Sequence, residues 1–230
     1  PAAQAALPEM GRVNNSWFAD AAFLGDSLTV GFSDYSIDVS GALICGYEGT
    51  SPNQIVNRTT LNNTERGEEI PLDVLSAAQP AKLYVLLGTN ALVGTGNDDG
   101  FLNYYGRMLD ELKAALPNTM IFVQSILPVR PDALENAPGL ATDRLNTINS
   151  AIAALCGEKG CYYLNLAEAF ADDTGALSAE IAQPDGIHIT VAGYAQWVSY
   201  LASHVPYNIN NPYQPGSTYY LDDSMKQLIG

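Results

Sequence analysis

The chain alternates short apolar runs with longer segments in which apolar residues recur at helical spacing. Five runs predict β-strands, because each is apolar over most of its length and then ends in glycine or polar residues. They are "DAAFLGDS" from position 20, "ALICGYEG" from 42, "AKLYVLLGTN" from 81, "TMIFVQSILPV" from 119 and "CYYLNLAEAF" from 161. Such runs are typical of strands that are buried on both faces of a sheet.

Four segments between and after these strands predict helices from their apolar spacing and their end signals. They are 51–59, with Ser51 as N-cap and Pro52 at the first helical position; 100–118, closed by Pro117; 141–160, capped by Thr142 and ended near Gly157; and 190–205, starting at Thr190. Strands and helices therefore alternate along most of the chain.

This alternation predicts an α/β fold, a three-layer α/β/α sandwich around a mostly parallel sheet of five strands. We expect the domain to span 21–205, after an N-terminal linker at 1–20. A Pro/Asn/Tyr-rich extension at 206–230 is expected to pack on it. In open sheets of this kind, functional sites form beyond the carboxyl ends of the strands.

The net charge of the chain limits the classes of molecule that it can bind. The formal net charge of −15 over 230 residues argues against nucleic acid, anionic lipid and polyphosphate, which the protein would repel. No apolar run reaches the ~18 residues of a membrane span. The small-residue stretch "PAAQAALPEM" resembles a linker that follows an export signal or a lipid anchor, which favours a secreted or cell-surface location over a cytoplasmic one. We therefore expect a neutral small-molecule or carbohydrate substrate.

The cysteines and histidines are few. Cys156 and Cys161 could pair across a helix-to-strand turn, or they and Cys45 could be ordinary buried thiols. The only two histidines, His188 and His204, are not at metal-ligand spacing, so we expect no metal and no cofactor.

The first strand ends by presenting a serine. Three apolar residues lead into Gly25, Asp26 and Ser27, which are common turn residues but also suit the display of a nucleophile. A serine hydroxyl needs a base within about 3 Å. His188 follows Asp185 by three residues in "DGIH", so the carboxylate can orient the imidazole on one short loop. His204, at the end of the last helix, is expected to be structural.

These positions converge in the predicted fold. Ser27, Gly49 and Asn90 each follow a predicted strand, and the pair Asp185 and His188 precedes the last helix. In a parallel sheet such points lie on one edge. The Asn90 amide and the Gly49 N–H can donate to a developing oxyanion, although each residue also suits a simple turn.

At these residues the chain resembles the SGNH, or GDSL, hydrolases. "GDSLT" at 25–29, "GTN" at 88–90 and "DGIH" at 185–188 match three of the family's blocks in order. The resemblance implies that Ser27 is the nucleophile, that Asp185 and His188 complete a triad, and that Asn90 and the Ser27 N–H lie in the oxyanion hole. The glycine of the looser second block maps onto Gly49, with Gly46 as the alternative.

Two positions depart from related patterns. Ala91 follows "GTN" where many relatives carry an acidic residue. Thr29 stands where the nucleophile elbow GxSxG has its second glycine, which favours the flavodoxin-like SGNH fold over the larger α/β-hydrolase fold.

The resemblance implies an esterase that acts on short acyl esters, and the acidic, export-like chain favours O-acetyl groups on carbohydrate. A lysophospholipase or lipase-like acylhydrolase is the first alternative. It would need a long apolar groove, which the predicted loop at 125–140 could build over the site. A sugar-binding cell-surface module without catalysis is an alternative of a different class.

Overall fold

The structure is a computed structural model that describes residues 6–229, so residues 1–5 of the expected linker and residue 230 of the expected extension lie outside the described residues. Its centre is a sheet of five strands, which are β1 (Ala21–Gly25), β2 (Leu43–Gly46), β5 (Lys82–Leu86), β6 (Met120–Gln124) and β7 (Tyr162–Leu164); β3 and β4 form the hairpin described below. The strand order is β2-β1-β5-β6-β7, and all four neighbouring pairs are parallel. These are the five strands that the sequence predicts.

Helices connect the strands and cover both faces of the sheet. They are α1 (Ser27–Asp34), α2 (Pro52–Val56), α3 (Pro71–Ala78), α4 (Thr89–Leu92), α5 (Asp98–Ala115), α6 (Thr142–Lys159), α7 (Ala167–Phe170), α8 (Val191–Ser203) and α9 (Asp223–Ile229). Short 3₁₀ helices occur at Asn15–Phe18, Pro131–Glu135 and Pro138–Leu140. Among the described residues, no helix is long and apolar enough to cross a membrane.

The two faces of the sheet bury separate hydrophobic clusters. Leu24 and Val85 point into a cluster shared with α3, α5 and α6, whereas Phe23 and Tyr84 point into a second cluster shared with α1 and α8. Alternate residues of each strand therefore pack against different helix layers. This arrangement confirms the predicted α/β/α sandwich.

Aromatic rings stack across four neighbouring strands on the α1 and α8 face. Ring centroids are 5.0 Å apart for Phe23 and Tyr84, 4.8 Å for Tyr84 and Phe122, and 5.1 Å for Phe122 and Tyr162. Such pairs contribute about 0.5–1.5 kcal/mol each beyond the area they bury. A shift of register by one residue would separate these rings, so the stack helps to set the alignment of strands that hold the site.

The ends of α6 differ from the prediction. The helix begins at Thr142, and Ala141 occupies the N-cap position, so the prediction that Thr142 caps the helix is wrong. The helix continues through Gly157 to Lys159 and ends at Gly160, whose φ of +66° is the left-handed conformation that favours glycine. Of the two glycines in "GEKG", the second ends the helix.

Two regions have more local structure than the sequence indicates. The predicted strand 161–170 ends at Leu164 and is followed by α7. The polar connection after α2 forms an antiparallel hairpin of β3 (Leu61–Asn63) and β4 (Gly67–Glu69). The Asn63 amide donates to the carbonyls of Ile44 and Gly46, so the hairpin covers polar groups of the edge strand β2.

The two ends of the chain contact each other, and the cysteines are unpaired. The N–H of Gln214 donates to the carbonyl of Arg12, which joins the C-terminal extension to the N-terminal segment. Cys45, Cys156 and Cys161 are all free thiols, so the pairing of the last two is not seen.

Candidate active site

The turn between β1 and α1 holds Ser27 at the first residue of a helix. Asp26 is the N-cap, and its Oδ1 accepts a hydrogen bond from the N–H of Leu28 at 3.1 Å. Only glycine fits at position 25, because a Cβ there would lie 2.0 Å from the Thr29 hydroxyl oxygen and 2.6 Å from the Leu86 carbonyl oxygen. The sequence "GDS" is therefore a close-packed turn that presents one hydroxyl.

Ser27, His188 and Asp185 form a continuous hydrogen-bonded chain. The Ser27 Oγ lies 2.8 Å from Nε2 of His188, and the His188 Nδ1 lies 2.5 Å from Oδ2 of Asp185. With the Nδ1 proton donated to the carboxylate, Nε2 is free to accept the serine proton. The structure thus brings together the three residues that the sequence predicts to act together, although Ser27 and His188 are 161 positions apart in the chain.

The loop that carries Asp185 and His188 is held by backbone contacts. Gly186 has a φ of +73°, and its carbonyl accepts a hydrogen bond of 2.8 Å from the N–H of Arg130. The N–H of Gln183 donates to the carbonyl of His188 at 2.8 Å, which closes the loop. The segment 125–140, predicted as a loop over the site, supports the histidine loop through this Arg130 contact.

The Asp185 carboxylate is a hydrogen-bond acceptor for its own loop. Partial burial opposes its ionisation, but hydrogen bonds from the His188 ring and from the N–H groups of Ile187 and His188 outweigh this effect and lower its pKa below the ordinary value. Asp185 is therefore charged at neutral pH and can stabilise an imidazolium at His188.

Asn90 lies at the start of α4, and its amide is held on two sides. The Nδ2 donates to Oδ2 of Asp26 at 3.1 Å and to the carbonyl oxygen of Thr50 at 3.2 Å. Asp26 therefore joins the turn at residues 25–28 to the Asn90 amide. No sequence signal links positions 26 and 90, since the contact depends on the neighbouring ends of β1 and β5.

Asp26 is a buried carboxyl group, with a relative exposure of 1%. Burial raises its pKa from 3.8 to about 7, although the Leu28 N–H and the nearby His188 act in the opposite direction. The ordinary reason for such a shift is the cost of placing a charge where water is excluded.

Gly49 and Gly46, the two candidate glycines of the second block, lie in different surroundings. Gly49 lies in an exposed turn with a φ of +67°, and within residues 6–229 its N–H has no hydrogen-bond acceptor. Gly46 lies in β2, where a Cβ would come within 2.6 Å of the Val30 backbone nitrogen. Gly46 thus allows β2 to approach α1, whereas Gly49 has an N–H available for a ligand.

His204 is part of the core. Its ring is buried, stacks on Tyr200 with centroids 3.7 Å apart, and donates from Nδ1 to the Tyr200 carbonyl at 2.7 Å. These contacts agree with the structural role expected for it. In the part of the chain that the structure describes, no group of three or more metal-ligating side chains is clustered.

Solved structures of other proteins share the fold of this chain. A structure from Streptococcus pneumonia, provisionally named a platelet activating factor, is 19% identical, with a TM-score of 0.65 over 81% of this chain and 88% of its own. A GDSL-like lipase from Bacteroides thetaiotaomicron is 20% identical, with a TM-score of 0.61 over 87% and 91%. A carbohydrate esterase family 3 protein from Talaromyces cellulolyticus is 16% identical, with a TM-score of 0.53 over 79% and 93%.

At these identities the structural matches show a shared fold. No curated protein sequence matches the chain significantly. The model of the GDSL-like Lipase/Acylhydrolase family matches residues 23–196, which include "GDS", "GTN" and "DGIH". The chain therefore belongs to the GDSL-like lipase/acylhydrolase family of hydrolases.

Proposed function

We propose that the protein is a serine esterase that removes short acyl groups, acetyl above all, from carbohydrate. The observation that carries this proposal is the hydrogen-bonded chain from Ser27 Oγ through His188 to Asp185, with contacts of 2.8 and 2.5 Å. This is the order of groups that nucleophilic catalysis by a serine requires.

In the first step, Ser27 Oγ attacks the acyl carbon while Nε2 of His188 takes the hydroxyl proton. Asp185 keeps the Nδ1 proton of His188 in place and stabilises the imidazolium. When the tetrahedral intermediate collapses, His188 returns the proton to the leaving alcohol oxygen and the acyl group stays on Ser27. In the second step, His188 activates water, which releases the carboxylic acid and restores the free serine.

The oxyanion of each intermediate would be stabilised by the N–H groups of Ser27 and Gly49 and by the Asn90 amide. Both Nδ2 hydrogens of Asn90 already have acceptors, the Asp26 carboxylate and the Thr50 carbonyl. We infer that one of these hydrogen bonds is shared with, or replaced by, the oxyanion when substrate binds. Losing one such donor commonly costs about 10²- to 10³-fold in kcat.

A short acyl group is supported by the burial of the segment 125–140. A lysophospholipase would need an open apolar groove, for which this segment is the candidate. Most of its apolar side chains are instead buried in the core, and Leu134 is only partly buried. The buried ones are Ile126, Leu127, Val129, Ala133, Ala137 and Leu140. Carbohydrate as the alcohol part is supported by the acidic chain, which disfavours anionic lipid surfaces, and by the fold shared with the Talaromyces carbohydrate esterase.

The test compares Ser27→Ala with Ser76→Ala, a control at an exposed position of α3. We expect Ser27→Ala to lose about 10⁴-fold or more in kcat on p-nitrophenyl acetate and to lose labelling by a fluorophosphonate probe, while the control keeps both. Full esterase activity in Ser27→Ala would contradict the proposal, and absence of labelling in the unmodified protein would favour a non-catalytic module.

The acyl length is tested on the unmodified protein with p-nitrophenyl esters of increasing chain length. We expect activity to fall steeply beyond four carbons. An optimum at long chains would indicate a lysophospholipase-like enzyme instead.

A further inference from the structure

A small cleft lies beside Asn90. Its volume is about 180 Å³, and its wall includes Ala91, the next residue along the chain. Pro52 forms another part of the wall, two residues after Thr50, whose carbonyl accepts from the Asn90 amide. The cleft therefore lies next to the segments that carry Asn90 and Thr50, although Asn90 itself is not part of its lining.

The lining of the cleft is uncharged and combines carboxamides with aromatic rings. Asn53 and Asn97 contribute the amides, and Phe101 and Tyr104 contribute the rings. Although the chain carries a net charge of −15, none of the residues that line this cleft is acidic or basic. Amides can both donate to and accept from hydroxyl groups, and aromatic rings contact C–H surfaces, so the lining suits a neutral polyhydroxyl ring.

The Asn97 side chain is available to a ligand. Asn97 has a left-handed φ of +60° and precedes α5, but its side chain makes no capping hydrogen bond. It lies over Gly100, where a Cβ would come within 2.4 Å of its Oδ1. Asn97 is exposed, and within residues 6–229 neither polar atom of its side chain has a hydrogen-bond partner, so both atoms are accessible to a ligand.

Arg144 makes the wall of the cleft rigid. Its Nη1 donates to the carbonyls of Leu92 and Gly94, and its Nη2 donates to the carbonyl of Gly96 and to the Asp98 carboxylate. One partly buried guanidinium therefore holds the loop that leads from α4 to Asn97. A wall that is already ordered binds a ligand without the entropic cost of ordering it.

We propose that this cleft binds one neutral sugar ring on the alcohol side of the ester. The inference rests on the proposed function, because it names the part of the substrate that the esterase holds beside Asn90. The volume is far larger than an acetyl group needs and lies below the range of about 300–1,000 Å³ found for drug-sized ligands. One ring, not an oligosaccharide, is the unit that the cleft encloses.

The first experiment measures kcat/KM for a mono-O-acetylated methyl xylopyranoside and for p-nitrophenyl acetate. The variants are Asn97→Gly, which keeps the left-handed backbone without the amide, and Gly100→Ala, whose added Cβ displaces the Asn97 amide. Gly100→Ala also favours the helix, so its effect will not come from unfolding. Asn103→Ala, at an exposed position of the same helix, is the matched control.

We expect both variants to lower the ratio of the two kcat/KM values, sugar ester over p-nitrophenyl acetate, by at least tenfold, mainly through KM. The control should leave the ratio unchanged. An unchanged ratio in both variants would overturn the proposal. The proposal would also be overturned if the variants changed only the ratio of kcat/KM for p-nitrophenyl hexanoate to that for p-nitrophenyl acetate. Such a change would show that the cleft binds the acyl chain.

A second experiment separates this inference from the proposed function. Methyl xylopyranoside, which has no ester, is titrated into the protein while backbone amide NMR signals are followed. We expect shifts confined to residues of the cleft, and their loss in Gly100→Ala. If the protein binds the sugar in this way but hydrolyses no ester, the proposed function fails alone. If it hydrolyses esters but the sugar shifts no signal of the cleft, the sugar subsite fails alone.

Discussion

The two regions that bring together Ser27 and His188 are built on different principles. The nucleophile turn, residues 25–28, is close-packed: Asp26 and Leu28 are each 1% exposed, and Gly25 has no room for a Cβ. The histidine loop, residues 185–188, is open: the Asp185 side chain is 47% exposed and the His188 side chain 36%. One region is shaped by excluded volume and the other by hydrogen bonds along a short loop.

This difference separates stability from activity. In the turn, most changes alter the packing of β1, α1 and β5, so they should affect folding first. In the loop, side chains can be replaced with little loss of buried area, so changes there should affect the reaction first. The following substitutions test this contrast in order of the expected effect.

His188→Ala should have the largest effect, and on activity. Without an imidazole at 2.8 Å from the Ser27 Oγ, no group accepts the serine proton, so we expect kcat to fall about 10⁴-fold or more. That loss corresponds to roughly 5 kcal/mol in the activation barrier. The half-exposed loop should lose less than about 1 kcal/mol of folding free energy, measured by urea unfolding. A large loss of stability would show that the loop is part of the core after all.

Gly25→Ala and Gly186→Ala place the same methyl group in the two regions. In the turn, the new Cβ would meet the Leu86 carbonyl oxygen at 2.6 Å, and overpacking of this kind should cost about 3 kcal/mol. In the loop, Gly186→Ala forces a residue with a side chain into a φ of +73°, at a cost of about 1–2 kcal/mol. Its Cβ would also lie 2.8 Å from the Arg130 Cβ, a less severe contact than the 2.0 Å to the Thr29 hydroxyl oxygen in the turn.

Urea unfolding of both variants measures this difference, with Gly157→Ala as the control. Gly157 lies inside α6 with open space around it, so alanine there should stabilise by about 0.5–1 kcal/mol. Equal costs for Gly25→Ala and Gly186→Ala would remove the distinction between the regions.

The same contrast explains what the sequence could and could not predict. The five sheet strands were predictable because strands buried on both faces are continuous apolar runs. The meeting of "GDS" and "DGIH" was predictable because the first follows a buried strand and the second precedes a helix, and such ends lie on one edge of a parallel sheet. The hairpin of β3 and β4 was not, since its strands have three polar or half-exposed residues each and no apolar alternation.

The contact between Asp26 and Asn90 could not be predicted either, because 64 residues separate them and only the sheet order brings them together. The ends of α6 show a related limit. Thr142 and Gly157 are suitable end residues by type, but the actual boundaries depend on which backbone positions become left-handed or extended in the folded chain.

Asp26→Asn tests the buried turn through the pH dependence of the free energy of unfolding. Of the three sets of substitutions, it should have the smallest effect. Between the ordinary pKa of 3.8 and the folded value of about 7, folded Asp26 keeps a proton that the unfolded chain releases, so its contribution to stability falls as pH rises through this range. Asparagine does not titrate and remains a good N-cap. Relative to the unmodified protein, Asp26→Asn should therefore gain roughly 2 kcal/mol between pH 5 and pH 8 in urea unfolding. A difference between the two proteins that stays constant with pH would show that burial does not set the charge of Asp26, and the turn would then be less tightly closed than its packing indicates.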